Sequence, residues 1–284
     1  MGPTHTESWE NGMAQRQGLA VLGGGKMGEA LLAGLVRRSG AEGVVVCERH
    51  PERGRELAAR YGVDVVGIEE AAARARVLLL AVKPQDLPSL LVLLAPAVDE
   101  GHLVVSIAAG ISTATIEAAL PAGVPVVRVM PNTPALVDEG MSVLSAGASA
   151  GEAELDEAEA LLSTVGRVAR VPEYQQDAVT ALSGSGPAYF FYLVEAMVDA
   201  GVLLGLPRAL TTELVVQTAL GSAVMLRESG EHPAQLRDAV SSPGGTTIAG
   251  IRELERHSVR SALIAAIEAA AARSVELGRA DGSR

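Results

Sequence analysis

The feature that most constrains the fold is a series of short apolar segments that alternate with helical patterns in the first half of the chain. Six such segments lie at residues 19–22, 44–47, 63–66, 77–82, 103–107 and 126–130. They are apolar on both faces, and helical patterns fall between most of them. Strands of this kind indicate a parallel sheet that is covered on both sides. We therefore expect an α/β fold with an N-terminal, Rossmann-type doubly wound sheet.

The second half of the chain has a different pattern. A further strand pair is predicted at 141–144 and 168–171, flanking an acidic helix at 151–164. After residue 172 the sequence shows only helical patterns, at 174–182, 187–204, 208–228, 233–240, 246–255 and 259–277. The sequence thus predicts a disordered extension over residues 1–17, a sheet domain over 18–171 and an all-helical domain over 172–284.

The predicted helical domain is too apolar to cover itself. The segment 188–204, for example, is apolar nearly all round, and a helix of this kind must be covered by other elements. A domain of about 110 residues can hardly bury several such helices alone. We therefore expect this domain to form an intertwined homodimer, or a higher homo-oligomer of dimers.

Charge and cysteine content exclude several classes of protein. A net charge of −11 argues against nucleic-acid and acidic-membrane partners, because both require clustered Lys and Arg. Cys47 is the sole cysteine, and the five histidines lack the spacing of metal ligands. The best candidate for a membrane span, 187–204, contains Glu195 and Asp199, and the first residues lack the apolar core of a signal peptide. We expect a cytoplasmic protein that binds no metal and does not span a membrane.

A glycine-rich turn follows the first predicted strand. Gly23, Gly25 and Gly28 have the G-x-G-x-x-G spacing, with Lys26 and Met27 between the last two. The first glycine permits a tight turn, the second lets the backbone approach a pyrophosphate, and the third lets helix and strand pack closely. N–H groups at the helix start then face the phosphates. A glycine loop without a ligand is the alternative, but the position between a strand and a helix favours a dinucleotide site.

The end of the second strand leaves the choice of dinucleotide open. Glu48 and Arg49 follow this strand, with Arg53 one helical turn further on. An acid here binds the adenine-ribose hydroxyls in NAD enzymes, whereas an arginine suits the 2′-phosphate of NADP. A solvated charged turn is the third interpretation, so these residues alone do not choose between NAD and NADP.

Four further segments carry a family resemblance. They read Ala-Val-Lys-Pro-Gln at 81–85, Arg-Val-Met-Pro-Asn-Thr-Pro at 128–134, Leu-Ser-Gly-Ser-Gly-Pro-Ala-Tyr at 182–189 and Val-Ser-Ser-Pro-Gly-Gly-Thr-Thr at 240–247. With the glycine turn they resemble, in order, the signature segments of pyrroline-5-carboxylate reductases. The last segment is the most specific and the glycine turn is the least. The chain departs from the pattern at Thr246, often another small residue, and at Lys26, which replaces an uncharged polar residue.

The resemblance implies an oxidoreductase of proline biosynthesis. The implied reaction is NAD(P)H-dependent hydride transfer to the imine carbon of 1-pyrroline-5-carboxylate, which gives L-proline. The family favours NADP as the cofactor, with NAD possible. In such enzymes the cofactor carries the chemistry, and the protein supplies position and electrostatics.

The loop after the fourth strand is expected to complete the cofactor site. Val82, Lys83 and Pro84 lie there, beside the crevice where open α/β sheets bind ligands. Lys83 can reach a ribose or a phosphate from this position. A surface lysine is the alternative, but Lys26 and Lys83 are the two lysines of the chain and both lie in cofactor loops.

Three small-residue or amide positions lie nearer the expected nicotinamide. Ala108, after the fifth strand, permits close approach by the ring. Asn132, after the sixth, either orients the nicotinamide or substrate or caps a turn before Thr-Pro. The loop 183–187 either covers the nicotinamide face or forms a structural turn that opens a helix.

The segment 241–247 is the candidate substrate site. Ser242, Gly244, Gly245, Thr246 and Thr247 lie in a loop before a predicted helix, where successive N–H groups form an anion nest. The residues alone favour an ordinary helix cap by Ser242 or Thr246. The substrate implied by the resemblance carries a carboxylate, which favours the nest instead. Thr247 is the expected catalytic residue, with its hydroxyl hydrogen-bonded to the ring nitrogen.

No Lys, Asp or His lies between Gly244 and Ile251, so Thr247 would direct the ring nitrogen without supplying a proton.

Two other functions are alternatives to a reductase of this family. A β-hydroxyacid dehydrogenase would rely on a lysine in the helical domain, but the chain has no lysine after Lys83. A non-enzymatic dinucleotide-binding sensor would not need the segment 241–247, and turnover of the imine separates it from a reductase.

Overall fold

The structure, a computed structural model, describes residues 18–281. The predicted disordered extension over residues 1–17 lies outside these residues. The described chain divides into two compact units. The first, called the sheet unit here, comprises residues 18–185 and 270–281, and the second, the helical unit, comprises residues 186–269.

An eight-stranded sheet forms the frame of the sheet unit. Its strands are β1 Gly18–Leu22, β2 Val44–Cys47, β3 Asp64–Val65, β4 Ala75–Leu80, β5 Leu103–Ser106, β6 Val126–Met130, β7 Gly140–Ala146 and β8 Gly166–Arg170. The spatial order is β3-β2-β1-β4-β5-β6-β7-β8, which confirms the predicted doubly wound sheet. The order reverses between β1 and β4, and ligands of open α/β sheets bind at the carboxyl ends of strands at this point.

One strand pair departs from the predicted parallel sheet. β6 pairs with β7 in antiparallel fashion, whereas the other neighbouring strands are parallel. Only residues 131–139 connect the two strands. A parallel crossover needs a dozen or more residues, so this connection is too short for one and the chain turns back beside β6.

Helices of the sheet unit cover both faces of the sheet. They are α1 Lys26–Ser39, α2 Pro51–Tyr61, α3 Ile68–Arg74, α4 Leu87–Leu94, α5 Thr113–Glu117, α6 Glu152–Leu162 and α7 Gln176–Val179. Alternate residues of β1 enter two buried clusters, as the pleat of a strand requires. Leu19 and Val21 pack with α1 and α6, whereas Ala20 and Leu22 pack with α3 and α4.

The stretch before the helical unit belongs to the sheet unit. Glu173 accepts hydrogen bonds from the N–H and hydroxyl of Thr113 and from the Arg128 guanidinium. The buried Gln176 amide donates to the Val143 carbonyl on β7. Because these contacts hold the stretch against the sheet, the compact units divide at Gly186 and not at the predicted boundary at residue 172.

The helix predicted at 174–182 takes a different form. It is a 3₁₀ turn at Glu173–Gln175, followed by α7 and a π turn at Thr180–Gly184. The predicted small-residue loop before the next helix is therefore partly this π turn. Wide turns of this kind occur mostly as single-turn interruptions and are frequent at functional sites.

The helical unit contains the helices predicted from the sequence. They are α8 Gly186–Leu203, α9 Arg208–Ser229, α10 Pro233–Ala239, α11 Thr246–Arg256 and the first part of α12 Val259–Asp281. Few of their side chains are buried within one chain, with Val198 and Val215 among them. Large apolar side chains are exposed instead, including Phe190 at 68% and Leu220 at 57%.

A second long helix, α9, is also rich in apolar residues. Among the described residues, α9 is long and apolar enough to cross a membrane by length and composition, with a mean hydropathy of 1.4. Apolar helices are equally suited to a subunit interface, which buries a comparable surface without a bilayer.

The core of the sheet unit gives a first prediction. Leu79 on β4 lies opposite Val21 of β1 and Val105 of β5 and is fully buried. Leu79→Ala should lower the free energy of unfolding by about 2–5 kcal/mol, because it leaves a cavity in a close-packed core. Chemical denaturation measures this change. Val92→Ala, at a side chain 74% exposed, is the control and should change it by less than about 0.5 kcal/mol. Equal effects of the two changes would contradict the core described here.

Candidate active site

A pocket opens at the carboxyl ends of β1, β2 and β4. It has a volume of about 560 Å³ and lies where the strand order reverses. The lining includes Gly23, Gly25, Glu48, Arg49, Val82 and Lys83, six residues that the sequence assigned to the cofactor. The parallel strands bring these three loops together because their carboxyl ends share one edge of the sheet.

Two of the three glycines of the fingerprint have a visible steric reason, and the third faces open space. A Cβ on Gly23, which has φ +112°, would lie 2.7 Å from the Ala81 carbonyl oxygen. A Cβ on Gly28 would lie 2.2 Å from the Gly23 carbonyl oxygen. A Cβ on Gly25 would meet nothing within 4 Å, so that position faces open space where a pyrophosphate could approach. Gly25 is also the N-cap of α1, and no side chain caps it.

The middle glycine of the turn is held from both sides. The Gly24 N–H donates to Glu48 Oε2 at 2.8 Å, and the Gly24 carbonyl accepts from Arg53 Nε at 2.9 Å. A Cβ on Gly24 would lie 2.5 Å from Leu57 of α2. The turn is therefore fixed by α2 as well as by β1. This role of Gly24 was not predicted from the sequence, although the run of three consecutive glycines was a signal for it.

A second group of charges supports the turn from behind. Glu29, in the first turn of α1, accepts hydrogen bonds from Arg53, Arg60 and Tyr61. Burial acts to raise the pKa of Glu29, but the hydrogen bonds from Arg53 and Tyr61 outweigh it and hold the pKa below its usual value. Glu29 is thus charged at neutral pH, and it anchors Arg53 under the turn.

The acid and the arginine after β2 have different surroundings. Glu48 is turned toward the backbone, because its two oxygens accept from the Gly24 and His50 N–H groups. Arg49 is exposed and forms an ion pair with Asp86 across the pocket at 2.9 Å. Lys83 is also exposed and precedes the 3₁₀ turn Pro84–Asp86. Both Glu48 oxygens are thus bound by backbone N–H groups, whereas the Arg49 guanidinium lies on the pocket lining.

The far wall of the pocket is apolar. The apolar residues of the lining are Val66, Ile68, Leu90 and Leu93, together with Cys47 at the end of β2. Burial raises the pKa of the Cys47 thiol to about 11, with a smaller contribution from the charge of Glu70. The thiol is therefore neutral and behaves as a small apolar group, not as a nucleophile.

Other predicted cofactor residues do not line the pocket. Lys26 is exposed and Met27 half-buried at the start of α1, and Pro84 is half-buried beside Lys83. Ala108 is 3% exposed and belongs to the core cluster that contains α3 and α4. The side chain of Ala108 therefore packs inward, although its loop follows the carboxyl end of β5.

The side chain of Asn132 does not cap the turn before Thr133 and Pro134, as the structural alternative predicted, but joins other segments. Its Oδ1 accepts from the Met141 N–H at 2.8 Å, and its Nδ2 donates to the Ser183 carbonyl at 3.2 Å. The amide thus ties the end of β6 to the start of β7 and to the π turn. The structure does not bring it into the pocket.

The segment assigned to the substrate forms the start of α11 in the helical unit. Gly244 has φ +69°, and the Gly245 N–H donates to the Ser242 carbonyl at 3.0 Å. Gly245 is the N-cap of α11, and no side chain caps it. Neither Ser242 nor Thr246 is therefore the cap that the sequence alone favoured. The first N–H groups of α11, those of Thr246 and Thr247 among them, have no partner within the helix and remain available to an anion.

Comparison with known proteins covers both parts of the chain. Residues 18–110 match the family described as NADP oxidoreductase, coenzyme F420-dependent, and residues 173–277 match the family described as pyrroline-5-carboxylate reductase dimerisation. The solved pyrroline-5-carboxylate reductase of Coxiella burnetii has a TM-score of 0.87 at 34% identity, over 93% of this chain and 99% of that one. The Plasmodium falciparum enzyme, solved with NADP bound, has a TM-score of 0.83 at 30% identity, over 92% of this chain and 98% of that one.

Relatives by sequence agree in name and in extent. The pyrroline-5-carboxylate reductases of Corynebacterium melassecola and of a Synechocystis strain are each 47% identical to this chain, over 92% of it and 98% of their own length. The enzyme of Xenopus laevis is 40% identical over 92% of this chain and 96% of its own. With this identity over almost the whole of both chains, the chain belongs to the pyrroline-5-carboxylate reductase family.

Proposed function

We propose that this protein is a cytoplasmic pyrroline-5-carboxylate reductase that uses NADPH, or less well NADH, to convert 1-pyrroline-5-carboxylate into L-proline. The observation that carries the proposal is the end-to-end match to reductases of that name, together with a dinucleotide pocket at the reversal of strand order. NADPH, when bound, supplies the hydride that reduces the imine carbon. The test is turnover of racemic pyrroline-5-carboxylate by purified protein with NADPH, followed at the dihydronicotinamide absorbance.

The glycine turn fits a dinucleotide. Open space at Gly25 leaves room for a pyrophosphate against the backbone, and the uncapped start of α1 offers N–H groups and the positive end of the helix dipole. Gly24 keeps the turn in place through Glu48 and Arg53. These residues would bind the cofactor and orient it, without taking part in bond changes.

The charges of the pocket favour the phosphorylated cofactor. Arg49 and Lys83 place two basic side chains on its lining, whereas Glu48 is turned toward the backbone N–H groups. A 2′-phosphate on the adenine ribose gains a charge-assisted hydrogen bond from an arginine, and a ribose hydroxyl gains less. We therefore propose NADPH as the preferred cofactor.

The start of α11 fits a small carboxylate. We assign the substrate carboxylate to the N–H groups of Thr246 and Thr247, with Ser242, Gly244 and Gly245 shaping the loop. The Thr247 hydroxyl would hydrogen-bond the ring nitrogen. Because a threonine hydroxyl is far too weak an acid to be the proton donor at neutral pH, the imine would be protonated before hydride transfer.

The exposed apolar helices support a homodimer. In one chain α8 and α9 leave side chains such as Phe190, Leu214 and Leu220 exposed, and the matching family region is described by its role in dimerisation. A second copy of the helical unit would cover these side chains. A dinucleotide-binding sensor without catalysis is the other candidate, and turnover of the imine would exclude it.

The cofactor assignment predicts the effect of a change at Gly25. Gly25→Val places a side chain in the space assigned to the pyrophosphate, and a Cβ at this position meets no protein atom within 4 Å. Binding of NADPH, measured by titration of its fluorescence, should be lost while the thermal midpoint is nearly unchanged. Gly151→Val, the same change at the N-cap of α6, is the control and should bind NADPH as the parent does. Parental affinity in Gly25→Val would show that the cofactor does not lie on this turn.

The substrate assignment predicts a rate effect at Thr247. Thr247→Val keeps the shape of the side chain and removes its hydrogen bond, at a cost of roughly 1–3 kcal/mol in the transition state. Steady-state kinetics should show kcat and kcat/KM falling together by about ten- to a hundredfold, with KM little changed. Thr247→Ser, which keeps a hydroxyl, should recover most of the rate.

The neighbouring threonine is the control for this measurement. Thr246 is exposed at the first position of α11, so Thr246→Val should leave the rate within about twofold of the parent. Parental rates in Thr247→Val would contradict the assignment. Complete loss of turnover with intact substrate binding would also contradict it, because it would make Thr247 an essential acid.

The exposed apolar side chains of α8 and α9 predict an obligate dimer. Sedimentation equilibrium at micromolar concentration should give at least twice the mass of one chain. Leu220→Glu places a charge on the exposed apolar face of α9 and should shift the mass toward the monomer, because burying an unpaired charge is costly. Val92→Glu, on the sheet unit, should leave the mass unchanged. A folded, active monomer at this concentration would refute the proposal.

A further inference from the structure

The charged feature of the pocket that the proposed function leaves unexplained is the ion pair across its mouth. Arg49 follows β2 and Asp86 ends the 3₁₀ turn after β4, and the guanidinium donates to Asp86 Oδ1 at 2.9 Å. Both residues line the pocket. Because β2 and β4 flank β1 on opposite sides, the ion pair connects the loop after β2 with the loop after β4.

Helix capping by Asp86 does not account for the ion pair with Arg49. Asp86 is the N-cap of α4, yet its side chain makes no capping hydrogen bond. In the part of the chain that the structure describes, Arg49 is the hydrogen-bond partner found for its carboxylate. The Arg49 side chain is 69% exposed, and an ion pair this exposed contributes little to stability.

The acidic residue at the position that usually binds the adenine ribose is bound by backbone N–H groups in this chain. Glu48 follows β2, where that acid is expected, but its oxygens accept from the N–H groups of Gly24 and His50. Asp86, in the turn after β4, is therefore the carboxylate of the pocket lining that is not held by backbone N–H groups. Its position next to Arg49 brings it to the side chain assigned to the 2′-phosphate.

We propose that Asp86 sets the balance between NADPH and NADH by competing with the 2′-phosphate for Arg49. This inference rests on the proposed cofactor site. A 2′-phosphate carries about −1.5 to −2 charges at neutral pH, so it is repelled by Asp86 and must share or displace its ion pair. The 2′-hydroxyl of NADH is neutral and can donate a hydrogen bond to the same carboxylate. Asp86 thus weakens NADPH binding and favours NADH.

The test is direct binding of each reduced dinucleotide, with no imine present. Asp86→Asn should tighten NADPH by roughly two- to fivefold at low salt, as expected from removing an exposed charge pair, and should leave NADH unchanged or weaker. The gain should shrink at high salt because the Arg49 side chain is 69% exposed and salt screens its charge. Asp64→Asn removes the same charge from the ion pair with Arg74, away from the pocket lining, and should leave both affinities unchanged.

A double mutant separates competition from simple repulsion. Arg49→Ala should weaken NADPH more than NADH, and in that background Asp86→Asn should give a smaller gain for NADPH than in the parent. An equal gain in both backgrounds would overturn competition for Arg49. An unchanged NADPH-to-NADH ratio in Asp86→Asn would overturn the role of Asp86 as a specificity residue.

The two proposals fail in distinguishable ways. If the parent binds neither dinucleotide, the proposed function fails and this inference fails with it. If the parent binds NADPH and reduces the imine while Asp86→Asn keeps the parental cofactor ratio, only the present inference is overturned.

Discussion

The close approach of α1 to the ends of β1 and β4 is the constraint on which the rest of the cofactor site depends. It exists because Gly23 and Gly28 lack side chains, and a Cβ on either would overlap backbone oxygen atoms. The approach aims the unpaired N–H groups of the first turn of α1 at the pocket. Any larger residue would move the helix away from the strands, and the anion site would move with it.

An acidic chain binds anions here by local arrangement, not by overall charge. With a net charge of −11, the protein attracts no anion at long range. The start of α1 and the start of α11 each present N–H groups without a side-chain cap. Nearby carboxylates are held by partners, Glu48 by backbone N–H groups, and Glu29 and Asp86 by arginines. Their charges are thereby partly neutralised around the proposed cofactor site.

The two units differ in how completely a single chain can pack them. The sheet unit buries alternate strand residues on both faces, because helices cover each side of the sheet. The helical unit buries few of its apolar side chains, and its helices are apolar on more than one face. The same distribution of apolar residues on all sides of the predicted helices predicted a dimer from the sequence, since a short helical domain cannot cover several such helices. Where burial cannot be completed within one chain, a second copy is the simplest source of cover.

The sequence by itself determined most of the helices and strands, the Rossmann-type sheet and the position of the glycine turn, because sterics and periodicity act between close neighbours in the chain. The tertiary structure decided the rest. β7 runs antiparallel because its connection is short, and Asn132 is bound by Met141 and Ser183 and lies outside the pocket. Arg49 and Asp86 are 37 positions apart, and Gly24 and Arg53 are 29 apart. Spacing cannot reveal such pairs, since they meet only when the strand order places β1 between β2 and β4.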